Sequence, residues 1–315
     1  MSDAQQERYL VMGATGAQGG AVLRQLTAQG RTVVGIARGA AEADTIPAAA
    51  TAHPVDLADR EALCRAFDGV TRVAASLPLV YDEEVAAAYA ENIAYAAQTA
   101  GVRRMVFNTN LPVPAEPTGY PAFETRRIAE ETLRAADVPV TVLRPPLYLD
   151  NLFGPGHAPA LVNDGVLAFP LPSALPVSWM SLDDMAAATV AALEGADELV
   201  GSALRIGGPE AVTGPRLAAL FEDVLGRDVT FHPMAPGDFE AAVSAVLGPQ
   251  LGAGIAGGYH WACASAGADA FTADAAAAEK HLGIRLTPLR QWIAAQPWSR
   301  WAAPAAANEG DAQWN

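Results

Sequence analysis

Short β-branched runs alternate along the chain with longer Ala/Leu/Glu/Arg segments of helical period. The pattern predicts strands over RYLVMG (8–13), RTVVGIAR (31–38), TAHPV (51–55), TRVAASL (71–77), RRMVFNTN (103–110) and VPVTVLRP (138–145). Between them it predicts helices over 17–30, 59–67, 83–101 and 123–137, the first and third closing on Gly30 and Gly101. Strands separated by helices imply βαβ crossovers and a parallel sheet, hence an α/β fold. The near-continuous apolar runs VVGIA and TVLRP fit strands covered on both faces.

After Pro145 the pattern loosens. Residues 146–180 are rich in Pro, Gly and Leu and offer few clear elements. Helices are predicted over 181–195, 214–226, 237–248 and 272–283, with one more strand at 202–208. The stretch GAGIAGGYHWACASAG (252–267) sets a Tyr-His-Trp cluster among small residues. These features divide the chain into a first domain over 1–150, to which the strand near 202–208 returns, and a mainly substrate-binding lobe over 151–302. The low-complexity tail 303–315 is expected to be disordered.

Composition narrows the partners. The 315 residues are 51% hydrophobic, enough for one large domain or two that share a core. A formal net charge of −15 repels nucleic acid and anionic membrane surfaces, so a small molecule is the expected partner of a monomer or homodimer. The N-terminus lacks the apolar core of a signal peptide, and no run of about 18 apolar residues occurs, which reads as soluble and cytoplasmic. Cys64 and Cys263 indicate no disulfide framework. The five histidines are scattered without ligand spacing, so no metal is expected. No G-x-S-x-G elbow or P-loop lysine is present, which removes hydrolase and NTPase readings.

The chemistry starts at GATGAQG. Gly13, Gly16 and Gly19 follow a predicted strand and open a predicted helix, the context of a dinucleotide site. Gly13 permits the tight turn, Gly16 lets backbone approach a pyrophosphate, and Gly19 lets helix pack on strand. The amides of residues 16–19 then face the phosphates at the positive end of a helix dipole. Arg38 ends the second strand roughly 20 residues on, where an NAD site carries a carboxylate and an arginine instead accommodates a 2′-phosphate. This reads as NADP(H); the alternative is a solvated arginine at a strand end. Asp56 could bond adenine, with Leu57 against the ring; alternatively Asp56 or Asp59 caps the next helix.

Several segments taken in order, MGATGAQGG, ENIAYAAQTAGVRRMVFNTN, RRIAEETLRAADVPVTVLRPPLYLDN and TPLRQWIAAQPW, resemble the NmrA-like branch of the atypical short-chain dehydrogenases/reductases. RIGGPEAVTGPRLAALFEDVLGRDVTF also resembles the C-terminal part of that branch. The resemblance covers nearly the whole chain. It implies a doubly wound (Rossmann) parallel sheet with a smaller α/β C-terminal lobe closing over the nicotinamide of NADP(H). It implies that Thr15, Ala17, Gln18 and Gly19 meet the phosphates, that Arg38 meets the 2′-phosphate, and that Ser76, Leu77 and Pro78 line the cofactor. Asn108 and Asn110 stand where many relatives have serines, Pro145, Leu147 and Tyr148 border the nicotinamide, and Asn151 ends the motif on the substrate side.

One departure stands out. A short-chain reductase commonly pairs a Tyr with a Lys four residues later, so that the phenol can donate a proton. Here Tyr120 is followed at that distance by Glu124, and the sole lysine is Lys280. Arg126 takes the position where NmrA-like enzymes often keep a Lys; it can bond the ribose and supply charge but not a proton. Alternatively, Arg126 and Arg127 form a solvated basic face with partners such as Glu130 and Glu131. Tyr148, Arg126 and His157 are the catalytic candidates, while Tyr259, His260 and Trp261 could form a substrate wall; ordinary packing is the alternative for each. The functional reading is an NADPH-dependent reductase of a small, largely apolar or aromatic metabolite such as a quinone, enone, imine or ketone. The alternatives are a non-catalytic NADP(H) sensor and a redox-neutral isomerase, lyase or cyclase that retains the cofactor.

Overall fold

The computed structural model describes residues 7–153, 157–195, 197–264 and 268–302. The tail 303–315 lies outside the described residues. A seven-stranded, wholly parallel sheet forms the centre, in the order β3-β2-β1-β4-β5-β6-β8. Its strands are β1 (Arg8–Val11), β2 (Thr32–Ala37), β3 (Thr51–Pro54), β4 (Arg72–Ser76), β5 (Arg104–Asn108), β6 (Val140–Arg144) and, returning late, β8 (Ala203–Arg205). A second, two-stranded parallel sheet pairs β7 (Val166–Phe169) with β9 (Thr230–Pro233).

Helices cover both faces of the main sheet, because its strands are apolar on both sides. On one face α1 (Ala17–Ala28) packs with α7 (Leu182–Glu194), burying Val22, Leu26, Met185 and Val190. On the other, after the short α2 (Ala40–Ala43), come α3 (Arg60–Ala66), α4 (Glu83–Ala100) and α5 (Pro121–Ala135) over Phe67, Val73, Ile93, Phe107 and Leu133. Local chemistry sets these boundaries. Asp82 caps α4 by accepting from the Val85 amide at 3.0 Å, and Gly101 ends it in the left-handed region at φ 67°. Ser181 accepts from the Asp184 amide at 3.0 Å and starts α7 with two acidic residues in the first turn.

The remaining elements are α6 (His157–Asp164), α8 (Gly214–Leu225), α9 (Pro236–Leu247), α10 (Pro249–Ala264), α11 (Ala275–Leu282) and α12 (Leu289–Ala295). Most of them enclose a second core around Phe169, Phe221, Trp292 and Trp298. α11 instead returns Ala278 and Leu282 to the α1/α7 core. The segment 146–180, with few elements expected, holds a 3₁₀ turn at Leu149–Phe153, α6 and β7. The glycine-rich stretch 252–267 runs as helix to Ala264. Its glycines admit close neighbours: a Cβ on Gly252 would lie 2.0 Å from Ser244 Oγ, and one on Gly254 2.0 Å from the Tyr81 ring. α9 and α10 thereby form a tight antiparallel pair, and α10 also leans on α5. Among the described residues, no helix is long and apolar enough to cross a membrane.

Candidate functional site

The strand order reverses between β1 and β4, so a crevice opens at their C-terminal ends. The glycine turn lies there. Gly13 adopts φ 60°, and its carbonyl accepts from the Gly16 amide at 2.9 Å, closing the turn. A Cβ on Gly19 would lie 2.3 Å from the Gly13 oxygen and 2.5 Å from the Met12 oxygen, so only glycine lets α1 sit this close to β1. Gly13, Thr15, Gly16 and Ala17 are exposed, and the first-turn amides of α1 lack intrahelical carbonyls. That cradle fits a diphosphate. Ser76 lies on the opposite lip, its Oγ 4.0 Å from where a Gly13 Cβ would be.

Arg38 stands exposed at the end of β2, with no carboxylate partner among the described residues. Its neighbour Gly39 takes Glu42 at 3.2 Å through the backbone amide, which keeps that carboxylate engaged. Asp56 accepts from the Ala58 amide at 2.9 Å within its own turn, whereas Asp59 caps α3 through the Ala62 amide at 2.9 Å. Leu57 is half-buried beside them.

At the inner end of the crevice three side chains interlock. Asn108 Nδ2 donates to Gln18 Oε1 at 2.9 Å and to the Tyr148 hydroxyl at 3.0 Å, and Tyr148 reaches Gln18 Oε1 at 3.3 Å. Burial pushes the Tyr148 phenol far up, the Asn108 bond opposes this only in part, and the hydroxyl stays protonated. Asn110 adopts φ 67° and donates from Nδ2 to the Leu77 carbonyl at 3.1 Å; its buried Oδ1 has no partner. Pro145 is buried at the end of β6.

Beyond this cluster lies a mostly apolar cavity of about 900 Å³. Gln18, Asn110, Tyr148 and Asn151 border it on the sheet side. Phe123, Phe169, Phe239, Val246 and Tyr259 supply much of the rest. Tyr259 packs edge-on against Phe169 and Phe239, with centroids 5.5 and 5.0 Å apart. His157 also lines it; its Nδ1 lies 2.9 Å from the Ala168 carbonyl, and burial lowers its pKa, the carbonyl contact opposing only in part.

Three expectations change. His260 and Trp261 are not in the cavity wall with Tyr259. Consecutive helical residues point about 100° apart, so α10 turns only one of the three inward. His260 meets Glu240 at 2.8 Å on the half-exposed side, and Trp261 packs against Phe123 at 5.0 Å. Arg126 is not part of a solvated face: it lines the cavity, is 1% exposed and is the largest fully buried side chain among the described residues. Its guanidinium donates to the Val80 and Pro78 carbonyls at 2.6 and 3.1 Å, bracing the loop after β4. Glu130, the partner imagined for it, binds Arg134 and Arg144 instead.

Sequence reasoning missed Asp150, Tyr81 and the α9 residues. Asp150 lines the cavity and accepts from the Leu182 amide at 3.0 Å. Burial raises its pKa, against that hydrogen bond. Its place between Tyr148 and Asn151 was the available signal. Tyr81 and α9 carried none, because a loop residue and the apolar side of a helix look alike whether they line a cavity or a core. Among the described residues, no group of His, Cys, Asp and Glu is placed to hold a metal ion.

The (4-alkanoyl-5-oxo-2,5-dihydrofuran-3-yl)methyl phosphate reductase of Streptomyces griseus is 33% identical over 197 residues, which is 61% of this chain and 65% of that protein, just under two thirds of its length. Quinone oxidoreductase 2 of Escherichia coli is 29% identical over 241 residues, 75% of this chain and 81% of that one. Its crystal structure with NADPH superposes with a TM-score of 0.73 at 25% identity, covering 90% of this chain and 98% of that one. The Citrobacter sp. triphenylmethane reductase complexed with NADP(H) shares the fold, with a TM-score of 0.72 at 23% identity over 90% of this chain and 98% of that one. The model of the NmrA-like family matches residues 5–249, and this chain belongs to that family.

Proposed function

We propose that the protein is an NADPH-dependent reductase that delivers hydride to an apolar or aromatic electrophile, a quinone or enone foremost. One observation carries the reading: a bare-amide cradle and a roomy apolar cavity meet at the Gln18–Asn108–Tyr148 cluster. In this reading the amides of Ala17, Gln18 and Gly19 bind the diphosphate of NADP(H), and Arg38 pairs with its 2′-phosphate. Leu77, Pro78, Asn110 and Tyr148 form the wall against its nicotinamide. The cofactor supplies the hydride; the protein orients the acceptor and keeps water from the reacting faces. The reductase activities of the Streptomyces and Escherichia relatives support this reading. No Tyr-x-x-x-Lys pair stands in the chain, so an acceptor that needs no enzymic acid suits the site best.

The test mixes the protein with NADPH and a panel of quinones, enones, imines and ketones and follows the nicotinamide absorbance. Quinones or enones should turn over fastest, and NADPH should outperform NADH. Tight NADPH binding without turnover of any acceptor would overturn the reductase reading in favour of dinucleotide sensing. The sealed state of Tyr148, locked to two amide side chains, is the observation that favours this second reading.

A further inference from the structure

Arg126 places a positive charge at the cavity wall and brings no anion to meet it. Its contacts are all neutral: the carbonyls of Pro78 and Val80, the Thr125 hydroxyl at 2.9 Å, and the face of Tyr81 with the guanidinium carbon 5.5 Å from the centroid. Every other arginine of α5 has a carboxylate: Arg127 has Glu124 and Arg134 has Glu130. Nε is buried without a partner. Nη1 uses both its hydrogens on Val80 and Thr125, so Nη2, with one bond to Pro78, retains a free N–H.

A buried, unpaired charge is costly, and proteins normally pair it. Burial lowers the pKa of Arg126, with only the Tyr81 ring group opposing. Guanidinium nevertheless stays charged. The other titratable side chains lining the cavity are Tyr81, Tyr148, Asp150, His157 and Tyr259. The three phenols are held neutral by burial, His157 is pushed toward neutrality, and the carboxyl of Asp150 is disfavoured as an anion. Asp150 is the one carboxyl lining the cavity among the described residues, and it is engaged by the Leu182 amide rather than by Arg126.

We propose that Arg126 is the electrostatic stabiliser of an oxyanion that the substrate acquires on accepting hydride, so that the site favours conjugated carbonyls whose oxygen lies against the guanidinium. The inference rests on the reductase reading. With an enone, hydride adds to the electrophilic carbon and the displaced π pair moves to the carbonyl oxygen as an enolate; with a quinone, hydride adds to one carbonyl oxygen and the pair passes through the ring to the other oxygen as a phenolate. Dihydronicotinamide is oxidised in the same step. The oxyanion later takes a proton from water, so no enzymic acid is required. Charge developing in a mostly apolar cavity is where one fixed cation has its largest effect.

A nitrophenol bound in the cavity without cofactor tests this apart from turnover, since its absorbance reports the phenolate fraction. Phenolate should bind at least about tenfold more tightly than phenol, lowering the apparent pKa of the bound dye by about one unit. Arg126→Gln keeps donors for the loop carbonyls but removes the charge, and should raise that pKa above its value in water. Arg126→Lys keeps the charge and should retain the lowered value, with thermal melting checking that both variants fold. Activity should follow: kcat for quinones falls at least about tenfold in Arg126→Gln, with a smaller change in KM. A bound-dye pKa that is unshifted or raised in the wild type, or equal in wild type and Arg126→Gln, overturns the proposal. Dye binding with the predicted shift but no turnover of any acceptor would instead overturn the reductase reading on which it rests.

Discussion

Replacing Gly19 with alanine attacks the site at its tightest point. The new methyl would lie 2.3 Å from the Gly13 oxygen and 2.5 Å from the Met12 oxygen, both backbone atoms. Ordinary contact begins at 3.4 Å, so relief along that line moves α1 out from β1 by 1.1 Å. Overpacking of this kind costs about 1–3 kcal/mol. In a chain of this size that lowers Tm by about 1.5–5 °C. The larger effect is on the amides that α1 carries. A displacement of that size takes N–H···O contacts out of hydrogen-bond range. Losing two bonds to a charged acceptor, at about 1.5 kcal/mol each, weakens NADPH binding about a hundredfold. Titration calorimetry with NADPH and a thermal melt read both quantities. Gly20→Ala is the control: its methyl would lie 3.3 Å from the Ala14 oxygen in the same helix, and alanine favours helix by up to about 1 kcal/mol. A Gly19→Ala protein that melts and binds NADPH like the wild type would refute this account of the cradle.

Other outcomes follow from the same geometry. Arg38→Ala should weaken NADPH binding about tenfold or more and leave NADH binding nearly unchanged; equal losses would remove the 2′-phosphate assignment. Tyr148→Phe leaves one Asn108 N–H unpaired in a buried setting and should destabilise the fold by about 1–3 kcal/mol in chemical denaturation. Phe239→Ala should raise KM for aromatic acceptors, whereas His260→Gln, on the outer side of α10, should not. Burial alone would raise the Glu124 carboxyl, but the amide and hydroxyl of Thr118, at 2.6 and 2.8 Å, and Arg127 outweigh it and hold the pKa below its ordinary value. Its contribution to stability is therefore complete above the ordinary carboxylate pKa and is lost as pH falls through the lower folded value. Glu124→Gln should flatten that acid limb in pH-dependent melts.

The first half of the molecule was legible because its signals are local. Strand period, the glycine turn and the helix stop at Gly101 act within a few residues, and they fix β1 to β6 and the crevice between β1 and β4. The cavity was less legible. Tyr259 was found, but His260 and Trp261 came with it, because the glycines of 252–258 hid the helical period that separates them. Arg126 looked like a surface residue beside Glu130, since nothing in its own helix shows that Arg144, from β6, takes that carboxylate. Long-range competition for a partner leaves no trace in spacing. The same holds for β7 and β9, which pair across more than sixty residues.

The two walls of the cavity differ in how firmly they are built. The sheet-side wall is set by interlocked amides and by carbonyls braced from Arg126, so a change there disturbs the fold and the cofactor groove together. The opposite wall is α9, which packs chiefly on α10, has no fully buried residue, and leaves Val246 66% exposed. Substitutions at Ala242, Val243, Val246 and Leu247 can thus reshape what the cavity admits while the rest of the molecule is left alone. Selection, in nature or in the laboratory, can change which molecules the cavity admits by rewriting a turn or two of one helix, with the glycine crevice inherited unchanged.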